Sequence, residues 1–115
     1  MAVAAPPRSA AVLDQIAEAM ELSNTELARL FGVRRQALAG WRERGIPGPR
    51  LEKATAVAEI TDLLSHRLKA ERVPGIARRA ANAYGGLTML EMIARDRHRE
   101  LLESVRAAFD WSSGS

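Results

Sequence analysis

The feature that most constrains this chain is residues 24–45, NTELARLFGVRRQALAGWRERG. Ser23 precedes it at a helix N-cap position, and Glu26 follows three residues later. At that spacing a cap hydroxyl and a glutamate satisfy each other's backbone donors. Leu27, Ala28, Leu30 and Phe31 then recur on one helical face. Gly32 comes next, where the backbone must enter the left-handed region that side chains resist. A second helix over 34–44 starts at once, and Gly45 closes it. The stretch thus reads as a helix, a tight turn through Gly32 and a second helix with arginines at its start.

The second of these helices has two faces. Val33, Ala37 or Leu38, and Trp41 are its inward positions; Leu38 and Trp41 lie three apart, on one side. Trp41 suits either packing against the preceding helix or stacking on a base. Arg35, Gln36, Ala39, Gly40 and Glu43 point outward. Arginine can pair with guanine through two hydrogen bonds and glutamine with adenine, and small residues let a helix approach a groove wall or a thymine methyl. Arg34, Arg42 and Arg44 flank this face and suit phosphates, as does Arg50 beyond it. Asn24 and Thr25, at the start of the first helix, can donate to a phosphate there. Charge agrees: residues 29–53 hold seven Arg and Lys against two acids, so they carry +5 of a chain whose net charge is +3. Positive charge concentrated on such a helix pair fits a phosphate-facing surface.

The flanking sequence is helical throughout, with no sustained period-two alternation that would mark a strand. Ser9 is placed to cap a helix over 10–21, with Val12, Leu13, Ile16, Ala17 and Met20 on its apolar side. Ile46-Pro47-Gly48-Pro49 breaks the chain. A long helix over 50–72 is expected next, then a short one over 74–83, a turn at Tyr84-Gly85-Gly86, a helix capped by Thr88 and Glu91, and a last helix over 97–110. Apolar residues make up 47% of 115, enough for a compact core. The expected fold is all-α, with about seven helices. A leader spans 1–9, an N-terminal helix-turn-helix bundle 10–49, a linking helix 50–72, a small C-terminal module 73–111 and a tail 112–115. Ile93, Leu101, Leu102, Val105, Phe109 and Trp111 offer more apolar surface than so thin a module can bury, so they are candidates for a dimer or partner interface as well as for a local core. Trp111 suits either an interface anchor or a staple onto its own domain.

Thr25-Glu26-Leu27-Ala28, Phe31-Gly32-Val33, Leu38, Trp41 and Gly45 together resemble the Xre (lambda-repressor/Cro-like) helix-turn-helix family. Residues 84–93, YGGLTMLEMI, are similar to the glycine-glycine, Thr, Leu-Glu-Leu-Leu segment of the toxin-binding domain of Xre/MbcA/ParS antitoxins. Met89 replaces a frequent proline there, and Arg95-Asp96-Arg97 replaces an acidic or glycine-containing turn. The resemblance implies a homodimer that binds its own promoter on double-stranded DNA and plugs the active site of a partner toxin. The expectation is therefore a sequence-specific DNA-binding transcriptional regulator, in its narrowest form an autoregulatory antitoxin. The alternatives are a phage, plasmid or developmental repressor whose C-terminal module only dimerises, and a helical protein-binding adaptor.

Catalysis is not expected. His66 and His98 have no metal-ligand spacing with other candidates, and no phosphate loop or nucleophile elbow occurs, so neither a metal nor a cofactor is anticipated. The absence of cysteine fits a reducing cytoplasm, and no apolar run reaches the ~20 residues of a membrane span.

Overall fold

A computed structural model describes residues 8–113, with side chains from Ser9 to Asp110. Seven α-helices follow one another: α1 Arg8–Met20, α2 Asn24–Phe31, α3 Arg35–Arg44, α4 Gly48–Arg67, α5 Val73–Ala77, α6 Met89–Ala94 and α7 His98–Ser113. Single 3-10 turns, Ala70–Arg72 and Asn82–Tyr84, lie before and after α5. There is no strand among the described residues, so the all-α expectation holds.

Local chemistry sets most of the helix ends. The Ser23 and Glu26 side chains form a reciprocal capping box at α2, and Thr88 with Glu91 does the same at α6. Each box satisfies two backbone donors that a helix start otherwise leaves open. Gly32 ends α2 at φ 64°, ψ 34°, the left-handed conformation that costs glycine nothing. Ser9 behaves differently from expectation. It lies within α1, and its Oγ accepts the Ile46 N–H at 3.1 Å, tying the first helix to the loop after α3.

The long helix is shorter than expected. It stops at Arg67, because Leu68 turns extended (φ −121°, ψ 156°) and packs against the core. The short helix expected over 74–83 ends at Ala77. Beyond it the Arg78 guanidinium reaches back to the C-terminal end of α1, donating to the carbonyls of Met20 (2.7 Å) and Glu21 (2.9 Å). Residues 81–87 then close a loop in which Ala81 N–H donates to Leu87 O and Gly86 N–H to Ala81 O. Gly85 and Gly86 both have positive φ there.

Helix α4 is the centre of the molecule. It packs along α1 on one side and α7 on another, while α2 meets both α3 and α6. Gln15 of α1 donates to Ala58 O and Thr61 Oγ1 of α4. On the α7 side, Glu52 pairs with Arg99 and Glu59 with Arg106. One apolar cluster runs without interruption from Leu13, Ile16 and Phe31, through Val57, Ile60 and Leu64, to Ile93, Leu101 and Val105. The helix expected to link two modules thus carries a core shared by both ends of the chain.

That core uses the residues expected at a dimer or partner interface. Ile93 and Leu101 are fully buried, and Leu102 and Val105 retain at most 8% exposure. Their apolar surface is covered by the chain itself, because α7 lies against α4 rather than standing apart in a thin module. Phe109 is half-buried and packed on the same core, with the Arg67 guanidinium 5.6 Å from its ring centre. Trp111 falls within α7, but its side chain lies outside the described residues.

Candidate nucleic-acid interface

Helix α3 is seated by its apolar side. Leu38 and Trp41 are buried, and Trp41 meets Phe31 edge-to-face, with ring centres 5.6 Å apart and planes at 83°. This is the packing arrangement aromatic pairs favour, and it takes Trp41 away from any base. With that face fixed, Arg35, Gln36 and Ala39 are exposed on the opposite side.

These residues line one concave surface together with Asn24, Thr25, Ala28, Arg29, Val33 and Arg34. The structure therefore gathers six of the ten predicted contact residues in one place: Asn24, Thr25, Arg34, Arg35, Gln36 and Ala39. It adds Arg29, one helical turn beyond Thr25 on α2. That spacing was readable in the sequence, since Arg29 falls between the buried pairs Leu27-Ala28 and Leu30-Phe31 on the solvent side. Arg29, Arg34, Arg35 and Gln36 have exposed side chains with no hydrogen bond or ion pair among the described residues. The arginines here thus point three full charges and their donors outward.

The other four predicted residues are placed differently. Arg50 is half-buried and donates to the Phe31 carbonyl at 2.7 Å, so it caps the C-terminal end of α2 instead of facing solvent. Arg42 is also half-buried; its guanidinium donates to Asn24 Oδ1 at 3.0 Å and lies 3.4 Å from Asp14. It fastens α3 to the start of α2 and to α1. Gly40 is covered by its own helix: a Cβ there would lie 2.5 Å from Arg44 Nη2. Arg44 remains exposed but folds over Gly40 and sits 3.7 Å from Glu43. Gly40 is overlain only by this exposed guanidinium, and of the two small residues Ala39 is the one that lines the concave surface.

Lys53 has a role that the sequence did not reveal. It is 6% exposed, and its Nζ donates to Leu30 O at 2.6 Å and to Asp96 Oδ1 at 2.8 Å. It also stands 5.6 Å from the Phe31 ring centre. Arg50 and Lys53 thus hold the two last carbonyls of α2 from α4, just before the Gly32 turn. Lys53 binds the same point to the turn between α6 and α7, where Asp96 adopts φ 61°. The hydrogen bond from Lys53 holds the Asp96 carboxyl below the usual aspartate range. In the same way, the Ser23 backbone N–H lowers the Glu26 carboxyl. A buried ammonium bound to a carbonyl and a carboxylate can be neither a phosphate ligand nor a mobile charge.

Among the described residues no group of three or more His, Asp or Glu is placed to hold a metal ion, and no helix is long and apolar enough to cross a membrane. No family model, curated protein or solved structure matches the chain.

Proposed function

We propose that the protein is a sequence-specific regulator of transcription that binds double-stranded DNA, with α3 in the major groove and the start of α2 on the adjoining phosphates. The observation that carries this reading is the concave surface on which Arg29, Arg34, Arg35 and Gln36 stand exposed and uncommitted, beside the Asn24 and Thr25 end of α2. Arg78, Arg99 and Arg106 are by contrast engaged within the chain, and Arg72, Arg79 and Arg95, exposed with no side-chain partner among the described residues, do not line this surface. Arg35 and Gln36 lie in the first turn of α3, the part of a recognition helix that reaches base edges. Arg29 and Arg34 are suited to the phosphates.

The antitoxin reading rests on the resemblance of residues 84–93 and on the order of the elements, a helix-turn-helix, a long helix and a compact helical unit. Those residues form a turn and a core-facing helix, and the apolar residues of α7 that a toxin would cover lie inside the fold. The general regulator reading is therefore the one adopted.

The test is selection of bound sequences from a random duplex pool, followed by titration of the selected duplex. Arg35→Ala and Gln36→Ala should each weaken the selected site by about 1–3 kcal/mol and relax preference at one position. Arg29→Ala should weaken selected and random duplexes alike and make the salt dependence shallower. No enrichment from the pool, or binding indifferent to salt, would reject the reading.

A further inference from the structure

The turn between α6 and α7 carries three charged residues in a row, Arg95, Asp96 and Arg97, and two of them are committed within the chain. Asp96 accepts from Lys53 Nζ at 2.8 Å, and Arg97 pairs with Glu100 at 2.7 Å. Arg95 is exposed, with no side-chain hydrogen bond or ion pair among the described residues. An acid four residues earlier on the same helix would ordinarily pair with it. That acid is Glu91, whose Oε1 instead accepts the Thr88 N–H at 2.9 Å in the capping box of α6.

The place of Arg95 is set from both sides. Ala94, before it, lines a hollow between α2 and α6 together with Arg29. Asp96, after it, is joined to the Leu30 carbonyl through Lys53. The two neighbours of Arg95 in the chain thus stand against Arg29 and Leu30, in the last turn of α2. Arg29 lines the concave surface as well as that hollow. Of the acids nearby, Asp96 is balanced by Lys53 and Glu26 by Arg78, so Arg29 and Arg95 outweigh Glu91. The C-terminal helices therefore bring a free guanidinium up beside the edge of the helix-turn-helix where Arg29 already stands.

We propose that this turn is a further part of the nucleic-acid interface, with Arg95 holding a backbone phosphate next to the one that Arg29 takes. The inference deepens the DNA reading and rests on it. Arg95 reads no base in this role, since phosphate contacts fix register without carrying sequence. It lengthens the duplex that one chain covers beyond the reach of α2 and α3, and Lys53 keeps the turn in place by bonding to both sides.

The test is the salt dependence of duplex binding by the full chain, read from the fluorescence anisotropy of a labelled duplex. Each phosphate neutralised adds about 0.9 to the slope of log affinity against log salt. Arg95→Gln should lower the slope by that amount on a selected and on a random duplex, with the preference between them unchanged. Arg95→Lys should restore it. Arg72→Gln is the control for bulk charge. Arg72 is also exposed and without a side-chain partner, but its neighbours Glu71 and Val73 line a groove with Glu18 and Glu21, where acids repel phosphate. That substitution should leave the slope as it was. Melting temperatures of both variants should match the parent, and a destabilised Arg95→Gln would assign the residue to the fold and overturn the proposal. A slope that Arg95→Gln leaves unaltered, or that Arg72→Gln lowers equally, overturns it while duplex binding by the parent chain still supports the DNA reading. A parent chain that binds no duplex rejects the DNA reading, and the proposal falls with it.

Discussion

Replacing Lys53 by methionine tests the contact that joins the reading end of the molecule to its C-terminal helices. The side chains are close in volume, so no cavity opens, and the change is confined to the ammonium. Its removal leaves the Leu30 carbonyl, beside the buried Phe31, without its donor. A buried acceptor left open costs about 1–3 kcal/mol. Asp96 also loses its partner, but its side chain is 75% exposed, so water takes over and this part should stay below about 1 kcal/mol. Against both losses stands the relief of no longer desolvating a charge. We expect a net destabilisation of about 1–3 kcal/mol, a drop in melting temperature of roughly 4–12 °C for a chain of this size. Urea and thermal unfolding at neutral pH, followed by circular dichroism, measure it, and a cycle with Asp96→Asn isolates the pair. The acid limb gives a second readout. Asp96 has its pKa depressed by Lys53. Its contribution is therefore complete above the ordinary value of 3.8 and is lost as pH falls through the lower folded value. Lys53→Met should lack that part of the acid loss. A variant as stable as the parent would refute the reasoning, because the ammonium would then be returning no more than its desolvation takes.

Two further outcomes follow from the same packing. Gly32→Ala places a Cβ that meets nothing within 4 Å, so the expected loss of about 1–2 kcal/mol comes from φ +64° alone and should leave the fold intact; denaturant midpoints would show it, and no loss would mean the turn relaxes. Ile93→Ala should lower stability by about 2–5 kcal/mol, as for a fully buried core residue, without changing the solution mass; a stable variant with altered mass would return Ile93 to an interface.

Several features were legible in the sequence because their causes are local. The two capping boxes, the Gly32 turn and the burial of Leu38 and Trp41 depend on neighbours within about one or two helical turns, and the spacing of residue types encodes them. The exposure of Arg35 and Gln36 followed, since fixing one face of a ten-residue helix fixes the other. The fates of the remaining cations were not legible. Arg42 finds Asn24 across 18 positions, Arg50 finds Phe31 across 19, and Lys53 finds Leu30 across 23 and Asp96 across 43. In the sequence all three were simply positive charges near a basic helix, equally suited to phosphate.

By itself, then, the sequence determined the all-helical class, the two capping boxes and the turn that sets α3 on α2, because hydrogen bonding and helical periodicity act over a few residues. Only the tertiary structure decided that α4 is covered on two sides, that Ile93, Leu101, Leu102 and Val105 belong inside, and that Leu51 is left outside. Burial is settled by which helix faces which, and an apolar residue carries no mark of whether its neighbour will come from its own chain or from another.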